Sequence, residues 1–151
     1  MAVLPIVTLG HPVLRSKARP VVKVTKRVQK LIRDMAETMY QAKGVGLAAP
    51  QVNVGERIIV VDVGQGLVAL INPEIIKAEG AIRDVEGCLS IPGRSGYVTR
   101  AAKVIAKGLD AEGRPIKVEA QGYFARAIQH EIDHLDGILF IDRLEEEVER
   151  E

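Results

Sequence analysis

Gln129-His130-Glu131-Ile132-Asp133-His134 is the stretch from which the rest of the chain can be read. It sets two imidazoles four residues apart, with a carboxylate directly after the first. On a helix, such residues share one face about one turn, ~6 Å of rise, apart. Two neutral imidazoles at that spacing can grip one metal ion, and the glutamate of this HExxH pattern can work on a metal-bound water. The flanking residues support the helix. Placing positions 123–136 at about 100° per residue puts Phe124, Ala127, Ile128 and Leu135 on one arc and Arg126, Gln129, Asp133 and Asp136 on the opposite one. Glu131 falls inside the apolar arc, where a carboxylate is costly unless something pairs with it. A metal site explains the segment better than an accidental run of core and surface residues.

A catalytic centre of this kind takes three protein ligands and keeps a fourth position open. Downstream sources for the third fail. Position 140 is Phe140 where a related pattern would place a third histidine after Gly137, and the acidic stretch that follows is too short to fold back with a glutamate. The upstream candidates are Cys88, His11 or a carboxylate. Cys88 lies in Glu86-Gly87-Cys88-Leu89-Ser90-Ile91-Pro92, a tight segment between candidate strands. A thiolate is a strong ligand for divalent iron or zinc, and beside the helix motif that role is the better reading than a small buried hydrophobe. His11, before Pro12, reads as a turn residue. A thiol protease built on Cys88 and one histidine would leave Glu131 and the second histidine without a task.

Outside these segments, Thr25 is a natural N-cap for a long N-terminal helix running to about residue 43. Val28, Leu31, Ile32, Met35 and Met39 form its apolar stripe, with Gly44 as its terminating glycine. Gly44-Val45-Gly46-Leu47-Ala48-Ala49-Pro50-Gln51 reads as a loop open to close backbone approach; it follows a helix and lacks a third glycine, so it is no dinucleotide loop. Residues 57–63 and 67–72 read as strands, 74–79 as a shorter one, and 97–109 and 115–120 as strands around a turn at Asp110-Ala111-Glu112-Gly113. Gly137 closes the histidine helix, and about 144–151 form an acidic, helix-prone, solvated tail.

The 151 residues, 47% apolar and 27% charged, fit a single soluble domain, 1–151. A net charge of +1 argues neither for nor against nucleic acid, and 3% aromatic residues weaken any base-stacking role. The lone cysteine excludes an internal disulfide framework and suits a reducing, cytoplasmic setting; no secretory signal is visible, and the apolar run at 57–62 is too short to span a bilayer.

Three stretches, Gly44 to Gln51, Glu86-Gly87-Cys88-Leu89-Ser90 and Gln129 to His134, occur in the order and spacing of one family. On them the chain resembles bacterial peptide deformylases over nearly its full length. The resemblance implies an α+β fold of mostly antiparallel sheets around a central helix carrying HExxH. It implies removal of the formyl group from the N-terminal formylmethionine of newly made proteins, with formate released. Cys88, His130 and His134 would bind one divalent metal, Fe2+ by family habit, with Zn2+, Ni2+ or Co2+ able to substitute. Glu131 would move the proton, while Gln51 and the Leu89 backbone N–H would stabilise the oxyanion. Backbone at Val45, Gly46 and Leu89 would hold the peptide as an added strand, with Val45, Leu89, Tyr123 and Ala127 around the methionine. Arg100 would pair with Glu86 or stand at the surface.

Ser95 occupies the position where several members carry a substrate-contacting arginine, with Arg94 just before it. The implied partners are formylmethionyl nascent polypeptides and a transient ribosome contact not made through the acidic tail, with no membrane and no sequence-specific nucleic acid. The alternative is an HExxH zinc peptidase acting on unformylated peptides. A domain with a purely structural metal would want four protein ligands.

Overall fold

The computed structural model describes residues 2–148. The first long element is α1 (Lys26–Gln41). The Thr25 hydroxyl caps it by accepting from the Val28 N–H at 3.3 Å, and Val28, Ile32, Met35 and Met39 recur on the buried face. The helix stops short of residue 43. The left-handed residue that ends it is Lys43, at φ 59°, not Gly44. Lys43 N–H closes on the Tyr40 carbonyl and Gly44 N–H on that of Met39, a Schellman ending one residue earlier than expected. Gly44 is small for a different reason: a Cβ there would lie 2.8 Å from Leu89 Cδ1.

Two antiparallel sheets follow. β1 (Gly46–Ala48), β2 (Ile58–Val61), β3 (Val68–Glu79), β6 (Lys103–Leu109) and β7 (Pro115–Gln121) form one, in the order β1-β2-β3-β6-β7. β4 (Ile82–Cys88), β5 (Ile91–Arg100) and β8 (Glu146–Val148) form the other, in the order β4-β5-β8. The second helix, α2 (Tyr123–Leu135), packs on β1, β2 and β7. The described chain is thus α+β with two helices and antiparallel sheets.

The core explains why β2 reads as an unbroken apolar run. Ile59 and Val61 point into a cluster with Ile128, Ile132 and Leu135 of α2, while Ile58 and Val60 point into another with Val28, Ile32, Met35 and Met39 of α1. A strand covered on both faces needs no polar alternation. Each such fully buried aliphatic side chain contributes on the order of 1.5–3 kcal/mol. A third cluster, Leu14, Ile91, Val98, Leu139 and Phe140, with Cys88 packed against it, supports the smaller sheet.

Several expectations shift. The separate strands at 67–72 and 74–79 are one strand, β3, whose register slips beside Asn72 (φ 52°); the Asn72 side chain bonds both the N–H and the carbonyl of Val21. The stretch 97–109 is two strands in different sheets, divided after Arg100. The loop expected at 44–51 contains β1 and then a 3-10 turn at Ala49–Val52, and the segment around Cys88 is itself the end of β4. The acidic tail is exposed as expected but is a strand rather than a helix: residues 146–148 form β8, paired with Ser95, Gly96 and Tyr97 of β5; Glu149, Arg150 and Glu151 lie outside the described residues. Gly137 does end α2, at φ 74°.

Candidate metal centre and its cleft

α2 holds His130, Glu131 and His134 on one side, all buried. Cys88 reaches them from the bulge that closes the β4–β5 hairpin, where the register breaks between Gly87 and Cys88. Its Sγ lies 3.3 Å from His134 Nε2, and one ligand atom from each of Cys88, His130 and His134 falls within 4.8 Å of the others. His11 is elsewhere, capping the 3-10 turn at Pro12–Arg15 by accepting from the Val13 N–H.

His130 is oriented from behind. Its Nδ1 lies 2.9 Å from Glu86 Oε1, which leaves Nε2 as its inward nitrogen. Glu86 also receives Arg100 through Nε (2.8 Å) and Nη2 (2.9 Å), so the Arg100–Glu86 pair left open by the sequence is formed and buried. Burial opposes ionisation of Glu86, yet Arg100 and His130 hold its carboxyl far below the usual range. Burial also works against a charged His130, but the facing Glu131, Cys88 and Glu86 outweigh it and lift the imidazole to about 10. His134 moves the other way, well below 6.5, because burial and the charges on His130 and Arg100 all disfavour its cation. His134 is thus held in the neutral form that can donate to a cation, whereas His130 would have to give up its proton to do so.

Glu131 is the unpaired acid of the group. Its Oε1 is buried with no hydrogen-bond partner among the described residues, and burial lifts the carboxyl to about 7. Gly46 lets β1 pass close by: a Cβ there would sit 2.5 Å from Glu131 Oε2. Gln51 accepts from the Ala48 N–H (2.9 Å) through Oε1. Its Nε2 donates to Ser90 Oγ (3.1 Å) and points at Cys88 Sγ (3.6 Å).

These groups line a cleft of about 600 Å³ that also takes in Val45, Leu89, Tyr123 and Ala127. Among the described residues β1 and β4 are both sheet edges, each paired on one side, so open strand edges flank the cleft. Every site residue expected from the sequence lies on or beside it.

A family model described as polypeptide deformylase matches residues 3–150. The chain belongs to that family. A peptide deformylase of Halothermothrix orenii is 61% identical over 146 residues, covering 95% of each chain. The crystal structure of peptide deformylase from Thermotoga maritima is similar at a TM-score of 0.94 and 44% identity, covering 96% of this chain and 99% of that one. A Synechococcus elongatus peptide deformylase in complex with actinonin is similar at a TM-score of 0.91 and 45% identity, over 94% of this chain and 79% of that one. Like its family, this deformylase removes the formyl group from an N-terminal methionine and depends on a metal.

Sequence reasoning missed two residues that build the deformylase site from behind. Arg126 and Asp133, assigned to a polar outer arc, are 5% and 9% exposed. Arg126 Nη1 binds Glu86 Oε2 (2.5 Å) and the Val98 carbonyl (2.9 Å), and Nη2 the Ile82 carbonyl (2.6 Å); Asp133 receives Arg100 and Arg143. The available signal was the spacing: Arg126 stands four residues before His130, one turn away, facing the same carboxylate. Arg126→Met should leave Glu86 short of one cation and two carbonyls short of a donor. The expected loss is about 3 kcal/mol, measured by urea unfolding. An unchanged midpoint would show the network to be redundant.

Proposed function

We propose that residues 1–151 act as one catalytic domain in which Cys88, His130 and His134 hold a divalent metal, Fe2+ in the working enzyme, and Glu131, Gln51 and Leu89 carry out the deformylation. The observation that carries this reading is the convergence of one sulfur and two imidazoles beside a buried, unpaired carboxylate. That donor set suits iron, zinc, nickel or cobalt and is foreign to magnesium or calcium. When bound, the ion supplies Lewis acidity toward the formyl oxygen and makes water a nucleophile near neutral pH.

The remaining work belongs to the chain. Glu131 takes the proton from the attacking water and returns it to the leaving amine, so the C–N bond breaks to formate and a free methionine amino group. Its raised proton affinity suits both halves of that task. Gln51 Nε2 and the Leu89 N–H donate to the oxygen that gains charge, and the bond from Ala48 keeps the Gln51 amide turned toward the cleft. The peptide lies as an added strand against Val45, Gly46 and Leu89, with the methionine side chain among Val45, Leu89, Tyr123 and Ala127. Formylmethionyl nascent chains in the cytoplasm are the substrates, met near the ribosome. No helix among the described residues is long and apolar enough to cross a membrane.

The test is formate release from a formyl-Met tripeptide under oxygen-free conditions, with metal analysis of the same sample. We expect one ion per chain and release from the formylated peptide only. Cleavage of an unformylated peptide bond at comparable rate would overturn the assignment.

A further inference from the structure

The β4–β5 hairpin carries three more residues on one strand than on the other. Cys88 pairs with Ile91 and Gly87 with Ser95, so Pro92, Gly93 and Arg94 have no partner on β4 and form a bulge. Gly93 takes φ 83°, and a Cβ there would meet open space. A bulge beside a site re-aims a side chain, and this one brings Arg94 to the wall of the cleft. Arg94 gives its Nε to Glu147 of β8 at 2.8 Å, which leaves both Nη nitrogens for another acceptor among the described residues.

Lys43 lines the same cleft from the turn that ends α1. A Cβ on Gly44 would lie 2.8 Å from Leu89 Cδ1, so this turn abuts the tip of the hairpin. The charges of the cleft are sorted by depth. Glu86, Arg126, His130 and Glu131 line it but are buried, with Arg126 paired to Glu86. The charged lining residues that reach solvent are Lys43 and Arg94, both cations, and no exposed acid lines the cleft among the described residues. A cation past the end of α1 suits the helix's own field, so Lys43 alone says little. Arg94 has no such reason, since its exposed pair with Glu147 adds little to the fold.

We propose that Lys43 and Arg94 select formylmethionyl chains that carry an acidic side chain at the second or third residue. The proposal rests on the reading that the peptide lies as an added strand against Val45, Gly46 and Leu89. Gly46 stands against Glu131, which fixes the reacting end of the peptide. Lys43 is three residues back, no more than about 10 Å along the chain. A peptide laid along this edge advances ~3.3 Å per residue, so its second and third residues pass the two cations. The free fork of Arg94 matches a carboxylate, Lys43 adds a point charge, and a lysine or arginine side chain at the same place is repelled by both. The contact lies away from the reacting atoms, so the preference belongs to KM and weakens as salt rises.

The experiment compares formyl-Met-Glu-Glu-Ser, formyl-Met-Gln-Gln-Ser and formyl-Met-Lys-Lys-Ser on the metal-loaded full chain, read as formate release. At about 50 mM salt kcat/KM should fall in that order, with the glutamate peptide at least about tenfold above the lysine peptide. The difference should lie in KM, and most of it should vanish at about 500 mM salt. Lys43→Gln/Arg94→Gln should bring the three peptides within about twofold of one another. A ratio taken within one preparation does not depend on how much of the variant is folded. Glu147→Gln removes the acid that competes for Arg94 and should widen the gap. Lys103→Glu, on β6 and outside the cleft, should keep the order of the parent. Release from the glutamine peptide tests deformylation apart from selectivity. Equal kcat/KM for the three peptides, a preference for lysine, or a glutamate preference that survives in Lys43→Gln/Arg94→Gln would overturn the proposal. No release from any of them would overturn the proposed function with it.

Discussion

Glu131→Ala should keep the metal and the fold and lose turnover by about 10²–10⁴-fold, the range a positioned general acid–base supplies. The side chain stands outside the Cys88, His130 and His134 group and makes no hydrogen bond through Oε1 among the described residues, so on the proposed reading its removal takes away a proton carrier rather than a support. With the peptide held as proposed, by β1, Leu89 and the apolar walls of the cleft, the loss should fall on kcat with KM little changed. Glu131→Gln, which keeps the shape, should be equally impaired. Formate release read beside metal content decides the matter: full activity in either variant would remove Glu131 from the proton path.

Cys88→Ala should fail at an earlier stage. On the proposed ligation, removing the sulfur leaves only His130 and His134, both on one helix. Residues that merely orient a ligand typically account for 10–100-fold in affinity, and a ligand itself should exceed that. Metal per chain after dialysis should fall far below one, and formate release with it. Cys88→Ala protein that retained its metal would place the third ligand elsewhere.

The grouping of Cys88, His130 and His134 was legible because it is built from scarce residues. One cysteine and three histidines leave few combinations, and the four-residue spacing of His130 and His134 has meaning only on a helix. α1 was legible for the ordinary reason that its cap and its apolar period agree. What stayed hidden depends on distant packing. Arg126 and Asp133 lie opposite the apolar arc, and nothing local shows that the β4–β5 hairpin will cover that arc too and convert surface charges into a buried network around Glu86. β8 stayed hidden because three exposed glutamates in a row carry no apolar alternation, yet Arg83 and Arg94 stand on β4 and β5 to pair with Glu145, Glu146 and Glu147. The break after Arg100 was invisible since β-branched residues continue on both sides of it.

The two sheets share no strand, and the triad draws one member from the hairpin of the smaller sheet and two from the helix packed on the larger. A bound ion would thus be one more rivet across a seam that the chain itself crosses from β3 to β4 and from β5 to β6, and that the buried pairs Arg126–Glu86 and Arg100–Asp133 also span. At a free concentration 100 times its Kd, such a rivet adds about 2.7 kcal/mol to the folded state. Removing the metal would then do more than idle the enzyme: it would take that increment away from the folded state, read as a lower unfolding midpoint of the metal-free chain.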